Sequence, residues 1–151
     1  MPQASTHIFR VSLMDDVRVY RDIEIASSAS LHDLALAILA SFEFDCDHAF
    51  GFYSGETRGA MYRVQPKYEL FADMDDTESD ALSVKQTNVA TAFPKPRHRM
   101  TFLFDYGDEW LFRVRLTGTG QKVPRTRYPK VLATQGKAPE QYPNQVDPDE
   151  E

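Results

Sequence analysis

Three carboxylates and one histidine are the residues of this chain whose types could do chemistry together. Asp105, Asp108 and Glu109 lie within one short stretch, and His48 stands on a segment that we predict to be a neighbouring strand. Such groups can hold a divalent metal ion, or can act as an acid–base pair if burial shifts one pKa. A divalent-metal-dependent hydrolase or nuclease-like enzyme is therefore one hypothesis for this sequence.

The same stretch also has the composition of a tight turn. Strict alternation of side chains on both sides of Gly107 predicts a β-hairpin over residues 101–117. In that hairpin Asp105 would accept backbone N–H bonds across the turn, and Gly107 would supply a positive φ. Trp110 would anchor the hairpin in the core, with its indole N–H bonded to His48 or to a carboxylate. We favour this structural interpretation, because an Asp-Gly turn between aromatic strands needs no active site to explain it.

A first hairpin is predicted nearer the start of the chain. Alternation is typical of two strands, over residues 8–13 and 17–25, with Val17 facing inward. Arg21 has the inward-facing parity and is the exception. We interpret it as a residue beside a sheet edge or bulge that reaches solvent, and the alternative is a buried arginine paired with a carboxylate.

The clearest helix begins after Ser30. Ser30 and Asp33 have the spacing of a capping box, which marks a helix start. Apolar residues then recur at helical spacing, so one stripe should pack on the sheet. That stripe comprises Leu31, Leu34, Ala35, Ile38 and Phe42.

The remaining segments are less regular. A strand is predicted over residues 44–53 and a shorter extended segment over 61–70, and Thr87 would cap a short helical turn. The acidic run 73–80 is interpreted as a solvated loop, since it lacks the ligand pattern of a calcium loop. Beyond Gly120 five prolines predict extended chain on the surface without new secondary structure.

Composition favours one soluble domain. The 151 residues can bury a core without disulfides, and the single cysteine, Cys46, cannot form an intramolecular bridge. The chain shows no membrane-spanning apolar run and no basic-then-apolar signal sequence at its start, which predicts a cytoplasmic protein. We divide it into an N-terminal leader, 1–6, a domain, 7–143, and a disordered acidic tail, 144–151.

Two sets of residues are candidates for binding instead of catalysis. A groove for a protein or peptide partner would be lined by Tyr20, Tyr53, Arg113 and Arg115. Nucleic acid would be contacted by the basic loop that holds Arg97, His98 and Arg99. The net charge of −6 argues against a large sequence-independent nucleic-acid footprint, because such binding neutralises phosphates with Lys and Arg. No cofactor is predicted apart from the divalent metal considered above, since the sequence contains no P-loop, dinucleotide fingerprint or zinc ligand set.

The order of these motifs resembles the plasmid pRiA4b ORF-3-like family over residues 7–143. The most specific portion is FDYGDEW, residues 104–110, which is similar to that family's Tyr-Asp-Phe/Tyr-Gly-Asp-x-Trp signature. The segments YPKV, 128–131, and GKAPEQYP, 136–143, support it. The resemblance implies an α+β structure with a strongly curved mixed sheet, in a family found on plasmids, beside mobile elements and in ordinary chromosomes. It implies no defined activity.

We therefore predict a single α+β domain. Its curved, largely antiparallel or mixed β-sheet would carry one main helix packed across it and a Pro-rich C-terminal extension. Aromatic richness without catalytic spacing favours a non-catalytic binding or interaction role over the metal-dependent enzyme, with nucleic-acid binding as a third alternative. No membrane association is expected.

Overall fold

The structure is a computed structural model that describes residues 5–72 and 81–141. The acidic run 73–80, the tail 144–151 and Tyr142 lie outside the described residues. The first strand begins at Thr6, inside the predicted leader. Neither of the two helices found in the described ranges has the length and apolar character needed to cross a membrane.

In the described residues, one mixed sheet of eight strands carries the fold. In chain order the elements are β1 (Thr6–Leu13), β2 (Tyr20–Ala26), α1 (Leu31–Ser41), β3 (Phe50–Tyr53), β4 (Lys67–Glu69), β5 (Leu82–Ser83), α2 (Val89–Ala92), β6 (Arg99–Phe104), β7 (Trp110–Gly120) and β8 (Lys130–Gln135). The order in space is β5-β4-β3-β6-β7-β1-β2-β8. Every pair is antiparallel except β4 with β5. The predicted α+β class with a curved, largely antiparallel sheet is confirmed.

Both predicted hairpins form. Strands β6 and β7 pair from Arg99 opposite Arg115 to Phe104 opposite Trp110, which confirms the central hairpin. Strands β1 and β2 also pair, but β2 begins only at Tyr20. The inward placement of Val17 was wrong: this side chain is 57% exposed, because it lies in the turn before the ladder begins.

Helix α1 begins as predicted. Ser30 Oγ accepts the Asp33 N–H at 3.0 Å, and the Asp33 carboxylate accepts the Ser30 N–H at 3.2 Å. Such a cap stabilises a helix by about 1 kcal/mol. The buried stripe of the helix joins the aromatic residues of the inner sheet face in one core. That inner face includes Phe9, Phe52, Phe102, Phe104 and Phe112.

The prediction of no secondary structure beyond Gly120 was wrong. Strand β8 pairs antiparallel with β2 at the edge of the sheet. All six of its residues are exposed, so backbone hydrogen bonds to β2 hold it, with only partial burial of Val131 and Leu132. A strand of this kind leaves no alternating apolar pattern to read.

Two element boundaries also differ from the predictions. Helix α2 is capped by Asn88, whose side chain accepts the Thr91 N–H, while the Thr87 hydroxyl donates to the Ser83 carbonyl. The strand predicted over 44–53 is confined to β3, and the chain leaves α1 through Glu43, where φ is +62°. An apolar pattern alone does not reveal such a left-handed residue.

Arg21 is buried beneath the β2–β8 edge and is only 4% exposed. It lies beside a bulge, as predicted, but it does not reach solvent, and no carboxylate of the described residues receives its hydrogen bonds. Burial lowers the pKa of its guanidinium from the ordinary value. The guanidinium lies over the Phe42 ring and donates to four carbonyl oxygens, those of Tyr20, Ser41, Gln135 and Gly136. Arg21 therefore ties the end of α1 and the end of β8 to β2.

The outer face of the sheet has two parts. Near β3, Met61 of the segment that follows this strand covers Tyr53, Leu103 and Leu111 in a second small core. Farther along β6, β7 and β1 the outward positions instead carry arginines. Candidate site residues therefore lie in two regions of the outer face, one beside the small core near β3 and one among the outward arginines.

Candidate functional site

The turn between β6 and β7 is organised by Asp105. Its φ is +66°, and its Oδ1 accepts the N–H groups of Gly107 at 3.1 Å and Asp108 at 3.3 Å. The predicted bonding by Asp105 is therefore correct. The predicted positive φ of Gly107 was wrong: in this turn Asp105 and Glu109 have the positive φ values. Asp tolerates this conformation because its short side chain can hydrogen-bond to the nearby backbone.

Only two of the four predicted metal or acid–base residues come together. His48 Nε2 lies 3.4 Å from Asp105 Oδ2 and 3.8 Å from Asp47 Oδ1. Glu109 lies 3.9 Å from the guanidinium of Arg58. Within residues 5–72 and 81–141, no group of three or more His, Cys, Asp or Glu side chains is arranged to hold a metal ion. Among the described residues, His48 and Asp105 are therefore the only pair of the four that the structure brings together.

Trp110 anchors the hairpin by packing. Its ring meets Phe44 edge to face, with centroids 4.8 Å apart. The predicted hydrogen bond from its indole to His48 or a carboxylate was wrong, since Nε1 is buried with no acceptor among the described residues. A buried donor left in this state costs about 1–3 kcal/mol.

A tyrosine–carboxylate chain that the sequence did not suggest lies beside this turn. Tyr53 Oη donates to Glu69 Oε2 at 2.5 Å and lies 2.7 Å from Tyr106 Oη. Because the single Tyr53 proton goes to Glu69, the Tyr106 hydroxyl donates to Tyr53. A Cβ on Gly51 would stand 2.8 Å from Tyr106 Oη and 2.9 Å from Tyr53 Oη, so a larger residue there would displace the two bonded hydroxyls.

The position of Tyr53 in this hydrogen-bonded chain shows that one residue of the predicted partner groove was wrong. Tyr53 has no exposed surface and cannot line a groove. Burial and the hydrogen bond to Glu69 raise the pKa of Tyr53, and burial raises the pKa of Tyr106 to about 12. Both hydroxyls stay protonated at neutral pH, and both protons are used inside the network. The tyrosine chain therefore fastens the turn to β3 and β4.

The second region is an arginine face on the open part of the sheet. We define it by Arg10 on β1, Arg113 and Arg115 on β7, Arg99 on β6 and Arg97 just before β6. In the sheet register Arg115 stands opposite Arg10 on one side and opposite Arg99 on the other. Three arginines thus form one row across three strands.

The ends of this row are neutralised and its centre is not. Arg10 makes two hydrogen bonds to Asp22, at 2.9 and 3.0 Å, which raise the pKa of its guanidinium. Arg99 Nε lies 2.8 Å from Glu56. Across the described part of the chain, no carboxylate pairs with the side chains of Arg97, Arg113 or Arg115. Like charges directly opposite one another destabilise a sheet.

Two shallow depressions lie on the arginine face and share Arg99 and Arg115. One is completed by Arg97, Leu116 and Thr117. The other is completed by Arg10, Ser12, Val17 and Arg113. Ser12 is 7% exposed, and its hydroxyl has no hydrogen-bond partner among residues 5–72 and 81–141. The second depression therefore combines four cations with an unused hydroxyl.

Some residues of the two predicted binding sets lie side by side in the structure. Arg113 and Arg115 of the partner groove lie beside Arg97 and Arg99 of the nucleic-acid loop. The Arg10 guanidinium lies over the Tyr20 ring, with Arg10 Cζ 3.8 Å from the ring centroid. The His98 ring packs on Phe93 with centroids 5.4 Å apart.

Sequence reasoning missed Arg10 and Ser12 as site residues. Their outward parity on β1 was visible in the sequence. Nothing in the sequence showed that β1 would pair with β7, which is what brings them to Arg113 and Arg115.

The fold and this face define an α+β protein with one mixed sheet, aromatic and covered on its inner face and rich in arginine on the open part of its outer face. The chain belongs to the plasmid pRiA4b ORF-3-like protein family, whose sequence model matches residues 5–143. It is similar to the crystal structure of MM3350, a protein of unknown function from Methanosarcina mazei Go1. That likeness has a TM-score of 0.69 and 20% identity, and covers 88% of this chain and 70% of that chain. No curated protein matches the chain.

Proposed function

We propose that this protein is a non-catalytic binding module whose arginine face binds an anionic partner. The observation that carries the proposal is the row of Arg10, Arg115 and Arg99 across three neighbouring strands. Like charges on neighbouring strands destabilise a sheet, so this row does not serve stability. A bound anion would replace the repulsion between the arginines with attraction.

The chemistry of arginine supports this role. The planar guanidinium offers paired N–H donors that match a carboxylate or a phosphate. Arg113 and Arg115 have both donor edges unused by carboxylates of the described residues, and they adjoin the hydroxyl of Ser12. These groups form a surface suited to anions and have no nucleophile with an adjacent base, which is why we propose binding in preference to catalysis.

Fluorescence anisotropy tests the proposal. The probes are labelled polyglutamate and a labelled single-stranded oligonucleotide, titrated at low salt and at about 0.15 M salt. An Arg113→Gln, Arg115→Gln double variant should lose at least about tenfold in affinity for whichever probe binds. An Arg125→Gln, Arg127→Gln double variant is the matched control, because it removes two exposed arginines of the same spacing that line neither depression. Absence of binding to both probes, or equal losses in both variants, would overturn the proposal.

A further inference from the structure

We infer that the ligand of the arginine face is an extended acidic peptide segment of a protein partner, lying along β7 with carboxylates at alternate residues. The inference rests on the proposed function and adds the class of partner. It is carried by the spacing of the arginines, by the carboxylates that end the row and by the Ser12 hydroxyl.

The spacing along β7 matches an extended peptide. Arg113 and Arg115 are two residues apart on one face of a strand, about 6.6–6.8 Å, and an extended peptide repeats its side chains at the same interval. Two acidic side chains at alternate positions can therefore face these two arginines. Arg10 and Arg99 flank Arg115 on the neighbouring strands, so one carboxylate at this position would pair with Arg115 and lie beside two guanidinium groups that already pair with Asp22 and Glu56.

The carboxylates at both ends limit the width of the ligand. Asp22 pairs with Arg10 at one end of the row, and Glu56 pairs with Arg99 at the other. The strip between them spans three strands, about 10 Å from first to third at the usual strand spacing. An extended chain fits that width. A DNA duplex, whose major groove alone is about 12 Å wide, would bring phosphates against Asp22 or Glu56.

The lining of the face also disfavours single-stranded nucleic acid. Such strands gain much of their affinity by stacking bases on aromatic rings. Within the described residues neither depression is lined by Phe, Tyr or Trp, and the Tyr20 ring is covered by Arg10. The net charge of −6 would further repel a long polyanion outside this strip.

Ser12 makes the depression more than a patch of charge. Ser12 is largely buried, lines the depression opposite Arg113 in the sheet register, and its hydroxyl has no hydrogen-bond partner in the described part of the chain. A hydroxyl can donate one directed hydrogen bond to a carboxylate oxygen. The site should therefore sense the position of a carboxylate as well as its charge.

The test compares peptides of identical composition. One alternates Glu with Thr, and the other holds the same glutamates in one block followed by the threonines. A single-stranded oligonucleotide of equal charge is the third probe, and all three are measured by anisotropy with the full-length protein. We expect the alternating peptide to bind at least about fivefold tighter than the block peptide, and tighter than the oligonucleotide.

A variant sharpens the test. Ser12→Ala should weaken the alternating peptide about three- to tenfold and leave the slope of affinity against salt unchanged, because it removes a hydrogen bond and no charge. Equal binding of both peptides, tighter binding of the oligonucleotide, or no effect of Ser12→Ala would overturn this inference and leave the proposed function standing. Binding of none of the probes would overturn both.

Discussion

The turn at Asp105 and the arginine face lie at opposite ends of the β6–β7 hairpin, and both are rich in charged and polar groups. In the turn these groups are consumed by the fold: Asp105 caps two backbone N–H groups, and the adjacent tyrosine hydroxyls bond to one another and to Glu69. On the arginine face, the guanidinium groups of Arg113 and Arg115 have no carboxylate among the described residues. Polar groups whose hydrogen-bonding capacity is used internally serve the fold, and the guanidinium groups of Arg113 and Arg115 are the ones that the proposed ligand would bind.

The difference changes which of the two regions is the better candidate for a binding site. The stretch 104–110, a catalytic or metal site by its composition, uses Asp105 for bonds within the turn and Tyr106 for a bond to β3. The outward arginines of β7 drew less attention, because alternation of Arg with apolar residues is ordinary on a solvated strand. Substitutions in the two regions should accordingly change different properties of the protein.

The largest expected effect is on stability, at Asp105. Asp105→Ala should lower the free energy of unfolding by about 2–3 kcal/mol, because it removes the acceptor of two N–H groups and places alanine at positive φ. Urea denaturation followed by circular dichroism measures the change. Asp108→Ala is the control in the same turn: its side chain is exposed, so a change within about 0.5 kcal/mol is expected. Equal losses in the two variants would contradict the organising role of Asp105.

Removal of one hydroxyl should break the tyrosine–carboxylate chain. Tyr53→Phe leaves the ring in its small core but removes the donor to Glu69 and the acceptor of Tyr106. The free energy of unfolding should fall by about 1–2 kcal/mol. Tyr62→Phe is the comparison, since Tyr62 is 46% exposed and packs only its ring against Tyr53. A Tyr53→Phe protein as stable as the wild type would show that the chain does not hold the turn.

A smaller effect should appear in alkaline solution. The pKa of Tyr106 is raised to about 12 in the folded protein, chiefly by burial, from an ordinary value near 10. Between these values the folded state holds a proton that the unfolded state has lost, so stability present below pH 10 declines as the pH rises. Tyr106→Phe should flatten this decline, by a modest amount because the side chain is 39% exposed and partly screened. Unfolding curves from pH 8 to 12 measure it; an unchanged decline in the variant would contradict it.

The smallest expected effect has the opposite sign. Arg115→Gln should raise the free energy of unfolding by about 0.2–1 kcal/mol, because it relieves repulsion from Arg10 and Arg99. The same variant should bind acidic probes more weakly, as expected of a residue retained for function at a cost in stability. Thermal melts at low salt show the gain, and Arg125→Gln should not. A destabilised Arg115→Gln protein would indicate a structural role for this arginine.

The predictions that held concern neighbours along the chain. The capping box of Ser30 and Asp33 and the two β-hairpins were readable because the interacting residues are close in sequence and recur at the period of a helix or strand. The Asp105 turn bonds were readable for the same reason. Backbone angles were not: Asp105, and not Gly107, has the positive φ, since a side-chain hydrogen bond compensated the strain that glycine would have avoided.

Tertiary structure decided what separate segments do together. Strand β8 owes its existence to a ladder with β2, and Tyr53 owes its burial to Met61 and to partners on β4 and in the turn. Arg10 and Arg115 are about a hundred positions apart in the sequence and adjacent in the sheet. In the paired strands of the two hairpins, the sequence by itself determined which side chains point outward, because that depends on the two-residue period. Which outward side chains become neighbours depended on strand order and register, and these are set by long-range packing of the whole sheet.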